Sequence, residues 1–328
     1  MSLIPTIYSS TDSGAPVLTG QVGTLAALLD AVLVDGYGSG PSAKAPLGWT
    51  REYTATDKRV FRPDPIEGSG YYLRVDDSSA AGNARISRLR AYESMSDIDT
   101  GSNPVPTVAQ RADGAMWCKS SVASSLARAW WIIGNARCFY LFIDVRGDGH
   151  FPFFAGDILS NVPGDQHAFV VTDNPLNTFS GSTAEVMSYL FFIAGGLTAT
   201  ISASPGWIAR NRTGAVGAVA FAHNEQDHIP TGTGVLGGMT ALTYPDPVSG
   251  GLVSNTISMR EGQYLLRGRW PGVIVPWHLR PFTDFQVVTD VAGVPGVAEL
   301  VARTYWTESR NNARNGQVLF ETGSDVLW

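Results

Sequence analysis

The chain has 328 residues, enough for one large fold or two cores, and 44% of them are hydrophobic, ample for a packed interior. Charged residues make up 16%, against roughly a quarter in an average domain, and the net charge of −6 provides no generic attraction to nucleic acid. The longest apolar run, "YLFFIAGGL" at 189–197, is far short of a membrane span, and "MSLIPTIYSSTDSGAP" has neither the basic start nor the apolar run of a signal peptide. These features predict a soluble chain made in a reducing cytoplasm.

The first predicted element is a helix over "TLAALLDAVLVDG". Thr24 can cap its start, Leu25, Leu28, Leu29, Val32 and Leu33 share one stripe, and Gly36 supplies the stop. The loop "GYGSGPSAKAPLGW" follows. From Trp49 onward the pattern turns to short extended runs: "WTREYTAT" and "KRVFRP" flank Asp57, and "YYLRVDD" leads through "SSAAGN" into "ARISRLRAYESM". In that last run apolar side chains fall at Ile86 and then at Leu89 and Ala91, a slip of one that predicts a β-bulge. "SDIDTGSNPVPTVAQRADGA" is polar and broken by Pro104 and Pro106. It reads as a linker over about 96–116, between a helix-plus-β region at 1–100 and a larger β-rich region at 115–328.

"WWIIGNARCFYLFIDV" holds two apolar runs without polar alternation around "GNAR", which predicts a hairpin covered on both faces. "HFPFFAGDILSNVPGD" and "HAFVVTDNP" continue the β character. "STAE" at 182–185 has capping-box spacing and opens either a short helix or a strand through "VMSYLFF". In "QYLLRGRWPGVIVPWHLRP", Pro271, Pro276 and Pro281 recur every five residues, which predicts a sheet edge or an extended loop. "ELVARTYWTESRNNARNGQVLFET" closes the chain as a strand pair with Val301, Arg303 and Tyr305 on one face. The expected fold is mainly β, with antiparallel sandwich- or barrel-like regions and one N-terminal helix.

Few segments concentrate chemistry. "HNEQDH" places His223, Glu225, Asp227 and His228 together, but the histidines stand at i and i+5, not the i and i+4 of a helical zinc site. On a strand they point to opposite faces, so a solvated turn before Pro230 is the expected reading. "GTGVLG", through Gly232, Gly234 and Gly237, runs toward Pro245 and Pro247 and lacks the strand and helix that a dinucleotide loop requires. "DVRGDGH" contains Asp144, Asp148 and His150 but lacks the oxygen spacing of a calcium loop. Asp76 and Asp77, as strand neighbours, face opposite ways. No nucleophile elbow, HExxH, Walker lysine or CxxC is present. No catalytic, cofactor-binding or metal residues are therefore expected, and the chain reads as a non-enzyme without cofactors.

Among 23 basic residues only Lys44, Lys58 and Lys119 are lysine. This bias reflects either a GC-rich gene or arginine's suitability for protein contacts. Cys118 and Cys138 read as buried thiols, with a disulfide possible. The nine tryptophans are expected in cores and interfaces more than in carbohydrate platforms.

The blocks "GAPVLTGQVGTLAALLDAVLVDGYGS", "APLGWT", "YYLRVDD", "AYESMSDIDTG", "LLRGRWPGVIVPWH" and "GQVLFETGS" span almost the whole chain. In this order they resemble virion structural proteins of tailed bacteriophages. The resemblance implies a particle component in the tail or baseplate and tail tip, assembled in the host cytoplasm and located in the virion. Its implied partners are copies of itself and neighbouring tail-tube, baseplate, neck or fibre proteins, with no nucleic acid or membrane. A head decoration or neck protein is the near alternative, and a host-surface carbohydrate-binding module the distant one. The N-terminal helix, "SRLRAYESM" and "RGRWPGVIVPWHLRP" are the candidate contact surfaces.

Overall fold

The computed structural model describes residues 3–78, 84–147, 150–173, 206–223, 243–261, 265–278, 281–309 and 312–328. Within them the chain is mainly antiparallel β with one N-terminal helix, as its patterning predicts. The short strand β1 (Thr6–Ser9) precedes helix α1 (Thr24–Leu29), which widens into a π-helical stretch over Asp30–Asp35 and stops at Gly36, φ 75°. The predicted stripe of Leu25, Leu28, Leu29, Val32 and Leu33 is wholly buried. The carbonyls of Val32 and Leu33, left open at the helix end, accept from Leu47 N and Trp49 N.

The start of the helix differs from expectation. Thr24 does not cap it: its hydroxyl donates to the carbonyls of Thr19 and Gln21. The helix N–H groups of Leu25 and Ala26 are taken instead by Asp77 Oδ2, at 2.8 and 3.3 Å. Gly23 at the cap position has φ 76°, and a Cβ there would meet Asp57 Oδ1 at 2.3 Å, so the tight approach needs glycine.

Strands β2 (Thr50–Ala55), β3 (Lys58–Arg62), β4 (Tyr72–Asp76) and β5 (Ile86–Tyr92) follow. After the hairpin β6 (Ser94–Asp97) and β7 (Thr100–Ser102) comes β8 (Ala115–Cys118), which completes a five-stranded sheet of order β2-β3-β4-β5-β8. The predicted bulge in β5 is absent, since its register with β4 and β8 is unbroken. Alternation was intact all along: Ser87, Leu89 and Ala91 share the inward face, and Ser87 is a polar residue with no exposed surface. The segment at 96–116 is tied into this sheet, because Val105 is buried and exchanges two 2.8 Å backbone hydrogen bonds with Ala91.

The second sheet holds β1 and β9 (Trp130–Gly134), β10 (Cys138–Asp144), β11 (His150–Asp157), β12 (Leu159–Ser160), β13 (Phe169–Thr172), β14 (Gly206–Arg210) and β15 (Val216–His223). It continues through β16 (Ser254–Glu261), β17 (Leu265–Pro276), β18 (Val287–Thr289), β19 (Glu299–Ser309) and β20 (Asn312–Glu321). The order is β1-β9-β10-β11-β13-β14-β15-β16-β17-β20-β19-β18, with β12 beside β17. The β9–β10 hairpin is covered on both faces, as its sequence predicts. Trp130, Ile132, Phe139, Leu141 and Ile143 pack with the helix leucines, Leu73, Val75, Leu89 and Trp117. Trp131, Ile133, Tyr140 and Phe142 pack oppositely against Met259, Trp270, Val301, Val318 and Phe320, where the far half of the sheet folds over the near half. A third, smaller core around Leu252, Phe282, Leu300 and Leu319 lies on the outer side of that far half.

β17 corrects the edge assignment for the proline segment. It is an interior strand, paired with β16 on one side and with β20 and β12 on the other. Pro271 is accommodated because the β16 register jumps from Ser258↔Arg269 to Thr256↔Ile274, leaving the proline nitrogen between ladders. Its carbonyl accepts the Tyr140 hydroxyl at 2.7 Å. Gly272 has φ 70°, and a Cβ there would meet the Trp328 indole at 2.1 Å.

Phe320 is the keystone of the second core, with ring centroids 4.9 Å from Tyr140, 5.7 Å from Trp131 and 6.0 Å from Phe142. Phe320→Ala is expected to lower the unfolding free energy by about 3–5 kcal/mol, read from the urea midpoint at unchanged slope.

Candidate functional site

An open cleft of about 790 Å³ lies where the small sheet meets the large one, lined by Glu93, Asp165, His167, Arg210, Arg212 and Arg267 among others. Four separate segments build it. Glu93 follows β5, Asp165 and His167 sit in the turn before β13, Arg210 and Arg212 frame the β14–β15 turn, and Arg267 lies on β17.

Its charges are paired in a defined order. Arg210 reaches Glu93 Oε2 through Nε at 3.1 Å and Nη2 at 2.5 Å, and Asn103 adds a bond to the same oxygen at 2.7 Å. Arg267 is buried and forks onto Asp165 at 2.7 and 2.8 Å, while its Nη1 donates to Glu261 at 2.8 Å. Arg212 places its backbone N–H 3.0 Å and its Nε 3.7 Å from Glu261 Oε1. Three guanidinium groups therefore face three carboxylates, counting Glu261 beneath the floor. Burial alone pushes Asp165 up, but the bonds from Arg267 and Ser160 and the His167 N–H hold it below the usual carboxylate range. Glu93 is held down in the same way, by Arg210 and Asn103 against the effect of burial. His167 Nδ1 lies 2.9 Å from the Tyr71 hydroxyl, and the Tyr71 ring stacks on Phe169. Chemically, the arrangement clamps the small sheet to the β14–β15 turn and the 161–167 loop to β17.

Other charges are handled similarly. Asp173 accepts from Arg111 Nε at 2.6 Å, Met116 N at 2.8 Å and Trp207 Nε1 at 2.9 Å. Arg303 has no exposed surface and is surrounded by the rings of Phe285, Phe142 and Trp131, 4.5, 5.3 and 5.4 Å from its guanidinium carbon. Burial pulls its pKa down to about 10 even though Asp284 accepts from it at 2.5 Å.

The residues singled out in the sequence are scattered. His223 ends β15 opposite Ser258, and Glu225, Asp227, His228, Gly232, Gly234 and Gly237 lie outside the described residues, as does the 182–185 capping box. Asp144 and His150 are partners across β10 and β11, Asp144 Oδ1 accepts the Gly147 N–H, and Asp148 lies outside the described residues. His150 is depressed to about 4, by burial first and then by the Arg303 charge. Asp76 and Asp77 do face opposite ways: Asp76 meets Arg74 and Lys58, and Asp77 turns inward onto Lys119. Cys118 and Cys138 are buried and unbonded to each other. Seven of the nine tryptophans are buried in cores. Among the described residues no group of three or more His, Cys, Asp or Glu is placed to hold a metal ion, and no helix is long and apolar enough to cross a membrane.

The three segments expected to be contact surfaces are used internally. The helix stripe, β5 and most of β17 are buried within the chain's own cores. Among the described residues exposed apolar side chains occur at several places, Ile66, Val248 and Leu265 among them, and one group stands on two segments pinned side by side by Gly20 N→Ser124 O and by the Leu18–Arg128 bridge. Val17, Val22, Val122 and Leu126 are 63, 36, 48 and 60% exposed there. Residues 13–29 and 120–127, which carry them, contain no ionisable side chain. Sequence reading missed this surface, although the charge-free runs were its visible signal. Compared with known proteins, the sequence matches no protein-family model, and no curated protein matches it.

The cleft has a testable acid dependence. Asp165 is depressed in the folded chain, so its contribution to stability is present above the ordinary carboxylate pKa of about 4 and is lost as pH falls through the lower folded value. Asp165→Asn, which leaves Arg267 short of a buried partner, is expected to cost about 3–5 kcal/mol at neutral pH. The gap to wild type should narrow on acidification, as followed by urea unfolding across a pH series.

Proposed function

We propose that this chain is a structural subunit of a tailed-bacteriophage virion, placed in the tail or baseplate assembly and working through contacts between subunits. The observation that carries this reading is the pair of charge-free loops presenting Val17, Val22, Val122 and Leu126. Depletion of charge around exposed aliphatic side chains is the composition of an interface core, not of an average surface. The block resemblance in the sequence supplies the kind of particle. A chain whose interior charges serve as clamps between strands suits a subunit that must hold its shape under load from its neighbours.

The partner expected on these loops is another copy of the same chain, since repeated subunits in a ring or tube use one surface many times. Purified protein is expected to self-associate with rising concentration in sedimentation velocity. Val122→Glu with Leu126→Glu should hold it monomeric while leaving the circular dichroism spectrum unchanged. Mass spectrometry of purified virions should detect the chain, and labelled particles should carry it on the tail. A monomer at all concentrations, together with absence from virions, would overturn the proposal.

A further inference from the structure

Asp77 and Lys119 have no exposed surface, and they meet inside the first core. Lys119 Nζ donates to Asp77 Oδ1 and, at 2.6 Å, to the Gln21 carbonyl. The two carboxyl oxygens stand in different surroundings. Oδ2 accepts from the Leu25 and Ala26 N–H groups at the start of the helix. Oδ1 receives the amine and the Ser87 hydroxyl, the latter at 2.6 Å. The residues come together because Ser87 lies opposite Trp117 across β5 and β8, while Asp77 and Lys119 are the first residues beyond β4 and β8.

This surrounding is costly for two charges and favourable for a condensation. Desolvating an ion pair costs several kcal/mol per ion. Burial pushes the Asp77 carboxyl up and the Lys119 ammonium down, toward the uncharged acid and amine. A desolvated, neutral lysine is a nucleophile, and paired backbone N–H groups are the usual support for an oxyanion at an acyl carbon.

We propose that Lys119 and Asp77 become joined by an intramolecular amide formed by the chain itself. A proton passes from the ammonium to Oδ1, and the neutral Nζ attacks Cγ. The N–C bond forms while negative charge gathers on Oδ2 beneath the Leu25 and Ala26 N–H groups. A second proton leaves the nitrogen for Oδ1, with the Ser87 hydroxyl placed to carry it. The C–Oδ1 bond breaks, and Oδ1 departs as water. No oxidant, reductant or co-reactant is consumed. The product removes two charges from the core and ties the end of β4 to the end of β8 across β5, beside the start of the helix. This inference stands on the pair alone and does not depend on the virion reading.

The test is the mass of the full-length chain after denaturation. The wild type is expected to be lighter than its sequence mass by one water molecule. A tryptic digest should give one branched peptide joining the segments that carry Asp77 and Lys119, without cleavage after Lys119. Lys119→Arg keeps a cation but cannot form this amide, and it should return to full sequence mass. A wild-type chain at full sequence mass, or a water loss mapped to other residues, overturns the proposal. Should Lys119→Arg fail to fold, the wild-type peptide map decides the matter by itself.

Discussion

The constraint on which the architecture depends is that the β9–β10 hairpin has no side that can face water. Trp130, Ile132 and Leu141 point one way, Trp131, Tyr140 and Phe142 the other, and all are buried. A two-sided apolar hairpin must be the middle layer of something. The helix and five-stranded sheet cover one face, and β16, β17, β19 and β20 return to cover the other. The chain crosses between the layers to do this: β1 pairs with β9 in the large sheet, whereas β8 pairs with β5 in the small one. Neither layer can be removed without exposing one side of this hairpin.

Such layering creates junctions where polar backbone ends and strand termini meet in a dry interior, and the buried charges lie at those junctions. Asp77 closes the helix start, Asp173 ties β8 to β14 through Met116 and Trp207, and Arg267 fastens the 161–167 loop to β17. Arginine suits these positions because one guanidinium can satisfy two carboxylates at once, as Arg267 does with Asp165 and Glu261. The arginine bias of the sequence is thus partly an interior feature. Arg303, surrounded by three aromatic rings, shows the same preference in an extreme form.

What could be read in advance follows from how local each signal is. The helix was legible because five aliphatic residues repeat at its period within one short run. The central hairpin was legible because absence of alternation directly reports two-sided burial. The reading failed where one residue type carries two meanings. Pro271 looks like an edge marker, yet a register jump lets it sit inside β17. Ser87 looks like a break in alternation, yet it is an inward residue bonded to Asp77. The clamping cleft was not legible, because Glu93, Asp165, Arg210 and Arg267 come from segments far apart in sequence and only the folded sheets bring them together. Asp77, Ser87 and Lys119 posed the same difficulty, although one signal was available: each follows the inward parity of its own strand or its extension.

The distribution of charge connects this interior to the outer surface. Thirteen charged residues are buried among the described positions, in a chain that has only 29 acidic and 23 basic residues in all. A sequence already poor in charge that places so many ionisable groups inside has fewer left to keep its surface hydrated and its copies apart. The charge-free runs at 13–29 and 120–127 are one place where this shortage reaches the surface, and the first contains the helix start, which Asp77 and Lys119 hold in place. An apolar rim whose own segments carry no ionisable side chain favours association over repulsion between copies. The interior clamps and the bare loops are therefore two consequences of one allocation of charge.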